Sequence, residues 1–148
     1  MKKKELLSLQ RAGVFRITAN NIDAAHAYKV LKFKKAGRKA FEELAESERA
    51  ILEEVDIKEP EAFDKERAAL AKSGSDPSKL EQMNKKLDRL VELRKALYEE
   101  EVELEGVKTV PYDQFHELQK ENAEMPGKPL NVFEDLLEGI LWEVPEES

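Results

Sequence analysis

The chain has no cysteine. That removes a disulfide framework, a thiolate metal site and a cysteine nucleophile from consideration. Histidine is nearly as scarce, with two residues, and aromatics make up only 7% of the sequence, including a single tryptophan. Six glycines and six prolines in 148 residues are too few for a loop-rich or collagen-like chain. No stretch approaches the ~20 consecutive apolar residues that a membrane-spanning helix needs. The opening MKKKELLSLQ also lacks the apolar core of a signal peptide. A soluble, cytoplasmic protein is the expectation.

Chemistry-bearing motifs are missing too. There is no glycine-rich phosphate loop, no G-x-S-x-G elbow and no H-E-x-x-H pair. The two histidines, His26 and His116, are far apart in sequence. His26 falls on an apolar helical stripe, where it reads as a core or boundary side chain. His116 has Glu117 and Glu121 nearby, but one histidine with two flexible carboxylates lacks the donors of a transition-metal site. The acidic run from Glu99 to Glu105 offers carboxylates in one shared environment, whereas catalytic pairs need environments that push their pKa values apart. The expectation is therefore no enzyme, no catalytic residue, no metal, no cofactor and no small-molecule substrate.

What is abundant is charge: 25 Lys+Arg and 32 Asp+Glu, for a net charge of −7. It is divided unevenly. Residues 1–40 hold 11 cations against 2 anions, and the remainder holds 14 against 30. A polarity of that size either steers a partner or is neutralised within the fold. At 148 residues the chain fits one domain, residues 1–148, able to bury about two-thirds of its unfolded surface.

Periodicity predicts two long helices. From about Asn21 to about Val55, spacing at ~100° per residue gathers Ile22, His26, Val30, Phe33, Gly37, Ala40, Phe41, Leu44, Ile51 and Val55 on one stripe. Asn20 or Asn21 suits its cap. The second begins at Ser75-Asp76-Pro77, with Asp76 as N-cap and Pro77 at the first helical position. It places Leu80, Met83, Leu87, Leu90, Val91, Leu97, Tyr98 and Val102 on one face. A shorter helical pattern, Pro60 to Lys72, joins them and is closed by Ser73-Gly74-Ser75. Long amphipathic helices so connected pack antiparallel. Glu48 and Arg94 interrupt the two stripes and pair across the seam if the register is right.

Beyond the second helix the period drops to two. Glu101 to Val110 alternates around Gly106 and reads as a short β-hairpin. Gly13–Ala19 and Ile140–Val144 are β-rich as well. Pro111 to Glu121 reads as helix with Phe115 and Leu118 on one side, and Met125–Pro129 as a break. Asn131 with Glu134 has the form of a capping box opening a helix through Leu137. The fold class is mainly α: a long antiparallel helical hairpin, shorter helices and a small antiparallel β-sheet as a minor component.

Two surfaces stand out. The stretch KVLKFKKAGRK, residues 29–39, has six cations in eleven positions. Lys29, Lys32, Lys35, Arg38 and Lys39 are the candidate contacts if the chain binds nucleic acid. On a helical wheel, however, these cations and Lys34 cover the whole circumference outside the apolar stripe, which reads as a solvated face without a ridge. The acidic whole chain also opposes a nucleic-acid footprint. The second is FEDLLEGILW, the most apolar stretch, where Phe133, Leu137, Leu141 and Trp142 are candidates for a partner surface. The competing reading is a helix and strand that close the core.

The segment Asp23–Glu54, DAAHAYKVLKFKKAGRKAFEELAESERAILEE, resembles the central helix of a family of small bacteriophage proteins of unknown function, often encoded near tail and other virion genes. Ala27-Tyr28-Lys29 stands where an Ala-Tyr-Lys-like motif opens that family's Lys-rich helix. The later helix followed by Glu101-Val102-Glu103-Leu104 is similar too, while the Pro-containing C-terminal section falls outside the likeness. The resemblance implies a phage or prophage origin and carries over no catalytic residue. Together these readings point to a non-catalytic accessory or assembly protein acting by protein–protein contact or self-association, in the host cytoplasm if phage-encoded. Nucleic-acid binding or a regulatory role through the basic N-terminal region is the alternative.

Overall fold

A computed structural model describes residues 1–145. Helix accounts for 68% of the chain, in seven α-helices among the described residues, with one two-stranded parallel sheet. Backbone contacts gather into two compact units: Met1–Glu42 together with the stretch from Glu101 onward, and Glu43–Glu100.

The first unit opens with α1 (Lys3–Ala12), which buries Leu6 and Leu9. Glu5 reaches back to accept from the Lys2 N–H at 2.8 Å, and Gly13, at φ 86°, ends the helix in the left-handed conformation. Val14–Arg16 then make one 3-10 turn instead of the expected strand. Val14, Phe15 and Ile17 are all buried, so their β-branched and aromatic character serves the core and not a ladder. Helix α2 (Ala24–Glu54) is capped by Asp23, whose carboxylate accepts from the His26 N–H at 3.0 Å. The expected caps, Asn20 and Asn21, are used elsewhere: their N–H groups donate to Glu121 at 2.9 and 2.6 Å.

The apolar stripe of α2 is inside, as its period requires, but the halves have different partners. In the first unit Phe33 sits 5.3 Å from Phe15, ring to ring, and Gly37 lets the Phe15 ring approach the α2 backbone. In the second unit the remainder of the stripe faces α4 (Pro77–Glu99) in antiparallel register. Glu48 meets Arg94, Val55 packs with Leu90, and Asp56 meets Lys86. The expected helical hairpin is thus realised over the last part of α2.

That part ends in a Schellman motif. Asp56 takes φ 57°, its N–H donates to Glu53 O, and the Ile57 N–H reaches Leu52 O at 2.9 Å. Helix α3 (Pro60–Ser73) stops at Gly74, φ 65°, and packs on α4 through Phe63 and the Glu66–Lys79 ion pair. Asp76 caps α4 by accepting from the Lys79 N–H at 3.0 Å.

After Glu100 the predicted β-hairpin does not form. Glu101 instead makes an isolated antiparallel bridge with Lys2, while β1 (Val110–Pro111) pairs in parallel with β2 (Trp142–Glu143). The sheet is parallel because its strands come from segments separated by helices, not from one turn. Those helices are α5 (Tyr112–Glu121), α6 (Pro129–Val132) and α7 (Glu134–Leu137). Asn131 is no cap; it lies inside α6, which starts at Pro129. Glu134 serves as an acceptor for Tyr112 and Gln119. The unit is cross-tied at buried Asn122. Its Oδ1 accepts from the Thr18 N–H, and its Nδ2 donates to Thr18 O and Leu118 O, each at 2.9 Å.

Candidate docking surface on the second helix

The cations of residues 29–39 ride on the part of α2 that belongs to the first unit. Burial separates them. Lys29 and Lys34 flank the apolar stripe and are half-buried, and burial, followed by the neighbouring Arg38 charge, pulls the Lys34 pKa down. Lys32, Lys35, Arg38 and Lys39 remain exposed. Spaced at ~100° per residue, Lys32, Lys35 and Lys39 lie within about 60° of arc centred near Tyr28, with Leu31 and Arg38 to one side. Contrary to the wheel reading, a ridge does exist, about 17 Å long at 1.5 Å per residue. Flanking burial creates it, by withdrawing the cations that blurred it.

Two large apolar side chains stand on that ridge. Tyr28 is 58% exposed and Leu31 55%. The Lys32 ammonium lies 5.1 Å from the centre of the Tyr28 ring, a cation–π distance that holds both side chains over the helix surface. The Arg38 guanidinium donates to Phe15 O at 2.9 Å, which ties its charged end to the backbone of the 3-10 turn. Among the described residues, none of Lys29, Lys32, Lys34, Lys35, Arg38 and Lys39 forms an ion pair with a carboxylate.

The other candidate surface is not a surface. Leu137 and Leu141 are fully buried, Trp142 nearly so, and Phe133 is half-buried. Trp142 stacks on Phe115 at 5.6 Å and meets Tyr112 edge-on at 4.9 Å, and its indole N–H donates to Glu134 O at 2.8 Å. The apolar character of FEDLLEGILW is consumed by the core, and the exposed apolar residues at this end are Val132 and Val144.

The histidines stay apart. His26 Nε2 lies 3.6 Å from Asp23 Oδ2, and its buried Nδ1 has no partner among the described residues. His116 Nδ1 faces Gln119 Oε1 at 3.3 Å. Among the described residues no group of three or more His, Asp or Glu is placed to hold a metal ion. No helix among them is long and apolar enough to cross a membrane. The α2 ridge offers cations, one aromatic face and one aliphatic side chain, which is binding chemistry for an anionic surface with an apolar recess. Tyr28 and Leu31 were findable from sequence as the apolar residues of α2 that lie opposite its stripe. Compared with known protein families, curated proteins and solved structures, the chain matches none.

Proposed function

We infer that the chain is a non-catalytic accessory or assembly protein of phage or prophage type, acting by protein–protein contact, with the outer face of α2 as its docking surface. One observation carries this reading: Tyr28 and Leu31 stand more than half exposed amid four exposed cations that form no ion pair among the described residues. An exposed leucine and tyrosine gain from a recess that removes them from water, about 25 cal/mol per Å² of apolar area. The cations gain from carboxylates around that recess and speed the encounter. A protein surface supplies both. Nucleic acid answers the cations and stacks on Tyr28 but leaves Leu31 wet, and the chain's net charge of −7 opposes it.

Two folded variants test the reading, Lys32→Glu/Lys35→Glu/Lys39→Glu and Tyr28→Ala/Leu31→Ala. All five substituted residues are exposed and sit outside the core, so both variants keep the native helical signal. Each is expected to abolish co-purification of an acidic protein partner, or the concentration-dependent rise in sedimentation coefficient if the partner is a second copy. Retention of the complex by both variants overturns the assignment. Loss of DNA or RNA binding in the charge variant alone, with no protein complex to lose, favours the nucleic-acid alternative.

A further inference from the structure

The chemistry that the α2 ridge asks of a partner is present on the chain itself, in the same unit. From Pro129 onward the sequence has six Asp or Glu and no Lys or Arg. Within that stretch Asp135, Glu138 and Glu143 are exposed, and none of the three forms an ion pair among the described residues. Two valines accompany them: Val132 is 68% exposed and Val144 66%, more than Tyr28 or Leu31. The backbone holds these groups on a fixed frame. Buried Trp142 donates its indole N–H to Glu134 O, forms a parallel bridge with Glu138 and accepts from the Gly139 N–H at 2.7 Å. The stretch from Glu134 to Glu143 therefore closes on itself.

The two faces complement each other. One sets Tyr28 and Leu31 among exposed cations, the other sets Val132 and Val144 among exposed carboxylates, and each leaves apolar area in water. Ridge against ridge is disfavoured, because like charges would face each other. Other exposed anions fit the ridge less well. In the second unit Glu66, Glu81 and Glu92 are paired with Lys79, Lys85 and Arg89. In the first, Glu101, Glu103 and Glu105 alternate with apolar residues that are already half-buried.

With the α2 ridge taken as the docking surface proposed above, on which this depends, we propose that its partner is a second copy of this chain, which presents Val132, Asp135, Glu138, Glu143 and Val144. Each copy carries both faces, so the contacts form reciprocally in a two-fold dimer or run head to tail into a ring or filament. The charges are exposed, and salt therefore weakens the association.

Sedimentation velocity of the full chain, over a concentration series at low and high salt, tests this. The parent chain is expected to associate with rising concentration, more at low salt. Lys32→Glu/Lys35→Glu/Lys39→Glu and Asp135→Lys/Glu138→Lys/Glu143→Lys are each expected to stay monomeric alone and to associate when mixed, because each keeps the face that the other has lost. Combining both reversals in one chain is expected to restore self-association. Val132→Ser/Val144→Ser, which leaves every charge in place, is expected to weaken it about tenfold. If the carboxylate variant does not fold, the valine variant and the salt series decide. A parent chain that stays monomeric at low salt, no association on mixing, or an unchanged valine variant overturns the proposal. A monomeric parent that still loses another protein partner on ridge reversal overturns self-docking alone and leaves the ridge as a docking surface. Self-association that ridge reversal does not change overturns self-docking through the ridge.

Discussion

At position 37 the chain accepts about 1 kcal/mol less helix propensity than alanine offers, in the middle of its longest helix. The reason is Phe15. A Cβ at Gly37 would lie 2.1 Å from the Phe15 Cε1, a clash that the fully buried ring cannot move away from cheaply. Gly37→Ala is therefore expected to lower stability by about 1–3 kcal/mol in urea denaturation, the usual range for overpacking. Stabilisation, the outcome that helix propensity alone predicts, would refute the contact. Gly37 was legible as part of the apolar stripe, but its partner was not, because Phe15 lies in a segment whose β-rich composition read as strand. Glu121 is a second residue whose role is invisible in sequence. Burial pushes its carboxyl up, but hydrogen bonding from the Thr18 hydroxyl and the Asn20 and Asn21 N–H groups outweighs this, so its pKa sits below the ordinary 4.5. A depressed folded-state pKa gives stability that is present above the unfolded value and lost as pH falls through the folded one. Glu121→Gln is thus expected to be less stable than the parent at neutral pH and to show a shallower loss below pH 4.5. Parallel curves for the two proteins would contradict the assignment.

Helices were legible where the apolar period was long. The α2 stripe, the Asp76 cap, the Gly74 stop and the α5 face with Phe115 and Leu118 all follow from spacing and cap chemistry, and the α4 face holds at Met83, Leu90 and Leu97, whereas Val91, expected on it, is exposed and Val102 lies beyond the helix end. The register of the α2–α4 seam followed from its two exceptions, Glu48 and Arg94, which meet at 3.8 Å. With both side chains about a third exposed and the contact long, a double-mutant cycle is expected to give a coupling below about 1 kcal/mol. A coupling of several kcal/mol would mean that the pair holds the seam together instead of marking its register. Helix α1 was missed because only Leu6 and Leu9 declare it, and its stop signal, Gly13, opened what read as a strand. The small sheet does form, with one strand inside the β-rich Ile140–Val144, but it is parallel, and the hairpin expectation failed for a related reason. Alternation in Glu101–Val110 shows which side chains turn inward, but a hairpin also needs two arms that bond to each other, and here each end of the stretch bonds to a different part of the unit. FEDLLEGILW was ambiguous between core and surface until the neighbours of Trp142 were known.

For the molecule as a whole, the division of charge read from the sequence is left unspent where it matters most. The α2 cations have no carboxylate partners among the described residues, although residues 41–148 carry 30 anions against 14 cations. Which cations face outward was not legible, because a helical wheel shows directions and not what lies over them. The ridge from Tyr28 to Lys39 is proposed to touch a protein. Site-specific photocrosslinking from position 28 in cells that naturally express the gene tests it most directly, with position 91, an equally exposed valine on α4, as control. A discrete protein adduct is expected from position 28 and none from position 91, with loss of the adduct in the Lys32→Glu/Lys35→Glu/Lys39→Glu background. No adduct from position 28, the same adduct from both positions, or an adduct that nuclease removes would contradict it.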